Sequence, residues 1–353
     1  MKKKVLILFG GVSSEHDVSL VSASSVIKNI PAGKYDVLTM GITKDGEFYL
    51  YRGSADSIPE GGWLKDKSLL ERAVISPVRS HHGIIHLETG ETERIDIVFP
   101  VLHGKNGEDG TMQGLLELSG IPYVGCNHLS SAICMDKAFT NTVADFSGIA
   151  QAKWLAYTKE EYADAPADCL KKAEEYLGYP VFVKPANAGS SVGISKAKNA
   201  SEFAKACKTA FEHDRKIVLE ECIVGRELEC AVMGNARPVA STVGEIVPCN
   251  DFYDYDAKYI DDNSALHIPA RIPAEKIEEI RDLAVKTYKA LGCSGLSRVD
   301  FFMRESDGKI LFNEINTIPG FTSISMFPKL FGAVGIPYGE LIDRLFEYAL
   351  ERQ

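Results

Sequence analysis

Ser297-Arg298-Val299-Asp300 and, a little further on, Leu311-Phe312-Asn313-Glu314-Ile315-Asn316-Thr317 read as neighbouring strands that bring an arginine, two carboxylates and an amide together. Side chains alternate along a strand, so Arg298 and Asp300 share one face, as do Glu314 and Asn316. Acids on an isolated strand are usually the wet face of an antiparallel sheet. Here a cation precedes them, and the turn Pro319-Gly320-Phe321-Thr322-Ser323 follows with backbone donors. In that setting Asp300, Glu314 and Asn316 read as a hard oxygen set for Mg²⁺, which keeps waters and completes its shell from substrate phosphates.

Upstream, Val181-Phe182-Val183-Lys184-Pro185 ends a strand on a lysine, and Gly189-Ser190-Ser191-Val192-Gly193 follows as a flexible loop. Lysine offers phosphate a point charge, and small residues let backbone N–H groups close over it. Alone such a loop is a linker; with acidic metal strands downstream it reads as a nucleotide site. The chain has no G-x-x-x-x-G-K-[ST] loop, and its first turn has no G-x-G-x-x-G, which disfavours a nicotinamide-dependent oxidoreductase. In Val218-Leu219-Glu220-Glu221-Cys222-Ile223-Val224-Gly225-Arg226-Glu227 the acids suit an adenine amino group and ribose hydroxyls, or an exposed acidic edge.

Nearer the N-terminus, residues 4–9 predict a strand, Gly10 to Ser14 a turn, 18–30 a helix, and 35–42 and 95–102 further strands. This alternation predicts a doubly wound α/β domain with sites in the turns after strand ends. Gly10-Gly11-Val12-Ser13-Ser14-Glu15 and His103-Gly104-Lys105-Asn106-Gly107-Glu108-Asp109-Gly110 are such turns. Residues 52–94 read as an irregular or hairpin insertion, and His81-His82 as an exposed turn, since no partner has metal-ligand spacing. Beyond 136 the pattern predicts strands at 180–184, 192–196, 217–221, 227–233 and 237–247, and helices at 167–177, 201–212, 274–291 and 338–350. The expected division is 1–125, 126–228 and 229–353, an α/β domain followed by two α+β lobes.

A chain of 353 residues is long for one core and predicts two or three domains. A net charge of −10 argues against nucleic acid or an anionic membrane as partner. The eight cysteines include no C-x-x-C pair and read as reduced thiols of a cytoplasmic protein. The apolar run after Lys2-Lys3-Lys4 is short and ends at Gly10-Gly11, as a buried strand does; no stretch is long enough to span a bilayer.

Together these segments resemble the ATP-grasp superfamily and, within it, the D-alanine:D-alanine ligases, over essentially the whole chain. The carriers, in order, are Phe9 to Ser19, His103-Gly104 through Glu108-Asp109-Gly110, Met135-Asp136-Lys137, Lys184-Pro185 with Gly189 to Gly193, Phe252-Tyr253-Asp254-Tyr255 with Lys258-Tyr259, Arg298-Val299-Asp300, and Asn313 to Thr317 through Pro319-Gly320-Phe321-Thr322. The resemblance implies that ATP phosphorylates the carboxylate of one D-alanine and that the amine of a second attacks the acyl phosphate. It places Glu15 at the first ammonium and His103 at its carboxylate, with Ser325 and Met326 also lining the amino-acid site. Lys137, Lys184, Ser191, Glu220, Glu221, Glu227 and Lys258 would hold ATP. Asp300, Glu314 and Asn316 would bind two Mg²⁺, for which Mn²⁺ is an admissible substitute. Arg298 and the Gly320 N–H would face the tetrahedral oxyanion, where fixed donors are worth roughly 3–4 kcal/mol each. Ser190 and Tyr259 would position substrates, under a lid at 249–266 that excludes water from the acyl phosphate. A homodimer is implied on the same ground.

The resemblance extends to the vancomycin-resistance ligases that use D-lactate or D-serine. The tyrosine lid, with Tyr253, Tyr255, Lys258 and Tyr259 present, speaks against D-lactate. Met326, where resistance ligases commonly carry arginine, leaves an apolar wall suited to a methyl group and favours D-alanine over D-serine. Ile324 departs from the histidine of some members. A glutathione-synthetase-like ligase and a catalytically dead nucleotide-binding protein are the readings from other classes.

Overall fold

The computed structural model describes residues 2–247, 265–322 and 324–352. The lid residues Tyr253, Tyr255, Lys258 and Tyr259, and Ser323 of the turn, lie outside them. Among the described residues the strands form sheets of seven, four and five.

The first sheet has β1 (Lys3–Gly10) between β2 (Tyr35–Ile42) and β7 (Ile97–Pro100), both parallel to it. α1 (His16–Asn29) packs Leu20, Ala23 and Val26 against Val5, Ile7 and Phe9, while α2 (Thr111–Ser119) sets Met112 and Leu116 against Leu6 and Leu8. Successive β1 residues therefore feed opposite layers, as a doubly wound sheet requires. The 52–94 segment is more regular than expected. β3 (Phe48–Tyr51), β4 (Leu70–Ile75), β5 (Gly83–His86) and β6 (Thr92–Arg94) extend the same sheet in antiparallel fashion. Short 3₁₀ turns between β3 and β4 bury Trp63 against Phe9. Irregular spacing hides these strands from a periodicity reading. His81 and His82 lie in the β4–β5 turn, His81 Nδ1 being 2.8 Å from Ser76 Oγ.

α3 (His128–Met135) and α4 (Lys137–Phe146) lead into the second sheet, ordered β10 (Ser195–Ala197), β9 (Val181–Pro185), β11 (Lys216–Glu221), β8 (Trp154–Thr158). α5 (Lys159–Asp164), α6 (Pro166–Tyr176) and α7 (Ala200–His213) complete this unit. Val181, Val183, Ile217 and Leu219 face Phe203, Ala206 and Ala210 of α7. Alternation leaves Phe182, Lys184, Val218 and Glu220 on the opposite face.

The third sheet runs β14 (Ala265–His267), β13 (Val239–Val247), β12 (Gly225–Gly234), β15 (Gly295–Arg304), β16 (Ile310–Asn316). One face packs Leu228, Cys230, Val232, Val299 and Phe301 on Ile280, Ala284 and Tyr288 of α8 (Ala274–Ala290). Phe312 and Ile315 join that core although three apart, which strict alternation forbids. The pairing shifts between Asp300 and Phe301, with Asn313 as the extra residue of a bulge, so Phe312 reaches the core and Glu314 the far side. α9 (Met326–Ala333) and α10 (Tyr338–Glu351) follow. Leu341, Ile342, Leu345, Phe346 and Ala349 of α10 share a core with the first sheet and with Ala231, Met233 and Leu296 of the third.

The seven described cysteines are free thiols, buried except for the partly exposed Cys222. No helix among the described residues is long and apolar enough to cross a membrane.

Candidate active site

A cleft of about 620 Å³ opens between the second and third sheets and ends on the turns that follow β1 and β7. Glu15, His103, Lys137, Lys184, Ser190, Ser191, Glu220, Glu221, Glu227, Arg298, Glu314, Asn316, Gly320, Ser325 and Met326 all line it. Asp300 lines a small adjoining cavity with Glu229, Arg298 and Glu314. Of the expected site residues, only Lys258 and Tyr259 fall outside the described part.

The β1 turn is locked from α1. Ser19 Oγ accepts from the Gly10 N–H at 2.8 Å and donates to the Val101 carbonyl, and His16 Nδ1 lies 2.6 Å from the Gly11 carbonyl. This delivers Glu15 into the cleft, where Ser190 Oγ donates to its carboxylate. Two glycines make the room: a Cβ at Gly104 would lie 2.5 Å, and one at Gly189 2.7 Å, from Glu15 Oε2. His103 is buried, with Nδ1 3.1 Å from the Ile318 carbonyl and Nε2 3.3 Å from Ser22 Oγ. Burial pushes its pKa down against the pull of Glu15, which favours the neutral ring donating from Nδ1.

On the wall built with the second sheet Asp136 caps α4, accepting from the Ala138 and Phe139 N–H groups at 3.0 and 3.1 Å, and it pairs with Lys216 at 2.5 Å. Lys137 is thereby placed at the start of α4, with Nζ donating to the Ala188 carbonyl at 2.7 Å. Lys184 pairs with Glu220 at 2.6 Å, and Asn141 donates to the other Glu220 oxygen at 3.5 Å. Burial opposes the Lys184 charge, but Glu220, with Glu314 and Glu227 behind it, more than offsets this, so the net shift is upward. In the loop above, Ser190 and Ser191 adopt φ of 47° and 59°, a left-handed conformation uncommon for non-glycine residues.

On the third sheet Arg298 Nε and Nη2 each donate to Asp300 at 2.7 Å, and Nε lies 3.1 Å from Glu229. Burial works against the guanidinium, and Asp300 and Glu229 together hold its pKa well above normal. Asp300 stands opposite Glu314, and Asn316 Nδ2 donates to Asp300 at 3.0 Å. Among the described residues no three His, Cys, Asp or Glu side chains gather as a metal cluster. The donor set is instead two carboxylates and an amide oxygen, hard ligands that fit Mg²⁺ when phosphates and water supply the rest.

Some cleft residues escaped the sequence reading. Glu229 stands two positions beyond Glu227 on β12, so strand alternation could have found it. Glu108 accepts from the Gly104 N–H at 2.7 Å and the Ile318 N–H at 3.3 Å. Burial, helped by the Glu15 charge, pushes its carboxyl up to about 8. Its turn was marked in the sequence, but no role for Glu108 was, because the tie to Ile318 spans 210 positions.

A doubly wound domain followed by two lobes that grip one cleft, with Lys137 and Lys184 on one wall and an Arg–carboxylate cluster on the other, defines a ligase of the ATP-grasp class. Residues 4–126 match the family described as D-ala D-ala ligase N-terminus, and residues 143–347 the one described as D-ala D-ala ligase C-terminus. The chain belongs to the D-alanine–D-alanine ligase family, whose members use ATP and Mg²⁺. It is 53% identical to the D-alanine–D-alanine ligase of Acetivibrio thermocellus over 99% of this chain and 96% of that protein. With the Clostridium acetobutylicum enzyme of the same name the identity is 49%, over 100% and 99%. Among solved structures it is similar to the VanG D-Ala:D-Ser ligase of Enterococcus faecalis, with a TM-score of 0.91 and 44% identity over 99% and 100% of the two chains. It is also similar to the Coxiella burnetii D-alanine–D-alanine ligase, with a TM-score of 0.86 and 35% identity over 99% and 96%.

Proposed function

We propose that this protein joins two D-alanines into D-alanyl-D-alanine, with ATP converted to ADP and phosphate, for peptidoglycan precursor synthesis. The carrying observation is the convergence of Glu15, Lys184, Arg298, Glu314 and Gly320 on one cleft, from segments far apart in sequence. The parts 1–125, 126–228 and 229–353 act as amino-acid, nucleotide and reaction lobes. Lys137 and Lys184 take the phosphates, Ser191 and the 189–193 backbone close over them, and Glu220, Glu221 and Glu227 receive adenine and ribose. Glu15 holds the ammonium of the first D-alanine, and the neutral His103 orders the wall at its carboxylate. When bound, Mg²⁺ neutralises phosphate charge, and Asp300, Glu314 and Asn316 are the residues that would hold two such ions. The first carboxylate attacks the γ-phosphorus of ATP, giving D-alanyl phosphate. The amine of the second D-alanine, as the free base, then attacks the acyl carbon, the developing oxyanion meets Arg298 and the Gly320 N–H, and phosphate leaves, taking up the proton that the attacking nitrogen loses. Ser190, hydrogen-bonded to Glu15, and Tyr259 position the amino acids, while Lys258 belongs to the lid.

Ser325 and Met326 form the acceptor wall. The largely apolar Met326 suits a methyl side chain, and D-serine is the second reading, favoured by the likeness to VanG. The protein acts in the cytoplasm as a homodimer. Phosphate release with ATP, Mg²⁺ and D-alanine, followed by mass analysis of products when D-serine or D-lactate competes, tests the reading. D-alanyl-D-alanine is expected as the main product; a preference for D-alanyl-D-serine would reverse the acceptor assignment, and no D-alanine-dependent phosphate would sink the ligase.

A further inference from the structure

Glycine inside a strand weakens it and marks a place where something approaches closely. Gly244 lies within β13 and, unlike the turn glycines, does not have positive φ, so the backbone does not require it. The reason is space. A Cβ at 244 would lie 2.1 Å from Met326 Cε, 3.0 Å from Leu330 Cδ2 and 3.6 Å from Ile268 Cγ1. The register pairs Gly244 with Glu229, and Ile246 with Glu227, and those three side chains all line the cleft, so the missing side chain belongs to the cleft face. Met326 opens α9, is 6% exposed, and lines the same cleft beside Ser325.

We propose that Gly244 is a positioning residue for acceptor specificity: the notch it leaves in β13 seats the terminal methyl of Met326 and so fixes the wall against which the acceptor side chain lies. This rests on Met326 being the acceptor wall, as set out above. A flexible thioether has three rotatable bonds and would otherwise sample several rotamers at the mouth of the site. Seated in the notch it presents one apolar contour. Filling the notch pushes the methyl out, either toward the acceptor or back against α9.

The test compares Gly244→Ala, Met326→Leu and the double variant in the full-length protein, reading the D-alanyl-D-alanine to D-alanyl-D-serine ratio and the KM for ATP. Gly244→Ala is expected to lower acceptor kcat/KM for D-alanine about tenfold and to shift the ratio, with the KM for ATP little changed. The double variant, whose residue 326 ends one atom short of Cε, is expected to recover most of the loss. An unchanged ratio in Gly244→Ala, or an equal loss for both acceptors that the double variant does not recover, would show that the glycine serves helix packing alone and overturn the proposal. Should Gly244→Ala fail to fold, Met326→Leu carries the test, because unseating the methyl must itself shift the ratio; an unchanged ratio overturns the proposal. Wild-type dipeptide synthesis reads the parent assignment separately: its absence sinks both, whereas synthesis with an indifferent ratio sinks this one only.

Discussion

The wall built by β12, β15 and β16 and the wall built by α4, β9 and the 186–194 loop present charges to one cavity but hold them differently. On the sheet, strand register does the placing: Asp300 opposes Glu314, Arg298 opposes Asn316, and a guanidinium fork is held by two carboxylates. On the other wall a single ammonium meets a single carboxylate, Lys184 with Glu220, under a loop with serines at positive φ. A planar fork fixes direction as well as charge, whereas an ammonium fixes little more than charge. The difference suits the tasks proposed for the two walls: a reacting carbonyl needs donors aimed within tenths of an ångström, whereas a polyphosphate needs mainly neutralisation.

Replacing the fork by a point charge should expose this contrast most sharply. Arg298→Lys is expected to cut turnover about 100–1,000-fold while ATP binding, followed by fluorescence titration, changes little. Parallel losses in both would mean that Arg298 holds the sheet together and does not act on the reaction. On the facing wall, Lys184→Met strands Glu220 in a buried site and should cost about 3 kcal/mol in denaturant unfolding, together with a large rise in the KM for ATP. Adding Glu220→Gln should restore most of the stability but not the nucleotide affinity; if both returned together, Lys184 would have no role beyond the pair.

A smaller effect is expected where the walls meet at Glu15. Gly104 has φ of +66°, and a Cβ there would lie 2.5 Å from the Glu15 carboxylate. Gly104→Ala should therefore raise the KM for the first D-alanine about tenfold; an unchanged value would remove Glu15 from the ammonium site. The mildest test uses pH. Burial, with the Glu15 charge beside it, pushes the Glu108 carboxyl up to about 8 from its ordinary value of 4.5, so the native state holds its proton more tightly than the unfolded chain does. Its contribution is full below about 4.5 and is lost as pH climbs toward 8. The wild type should lose melting temperature relative to Glu108→Gln across that window, and parallel curves would show that the carboxyl is not held protonated.

What could be seen in the sequence follows the same divide. Asp300, Glu314 and Asn316 were legible because alternation is a local rule, and even the bulge at Asn313 leaves Glu314 and Asn316 on the cleft side. Lys184 was legible as the end of an apolar strand. The turn that holds Glu108 was legible but the residue's role was not, and neither was Gly244, since the first works through the distant Ile318 and the second through a methyl on another element. Neither relation leaves a periodic trace. In 52–94 the hairpin alternative was right for β4 to β6, but no strand bounds could be read because β5 and β6 are only four and three residues long.

The placement of α10 bears on how the chain is made. Leu341, Leu345 and Phe346 pack into the core formed by Val5, Ile7 and Phe99, and Asp343 receives hydrogen bonds from Lys34 at 2.5 Å and Tyr35 at 2.6 Å. A ribosome adding about 5–20 residues per second delivers 338–351 roughly 10–50 s after β7 has been synthesised. Throughout that interval the face of the first sheet that carries α1 lacks the part of its cover supplied by α10, while the second lobe, whose core is drawn from 155–219 alone, can already close. On the ribosome the second lobe is therefore expected to gain protease resistance before the first domain does.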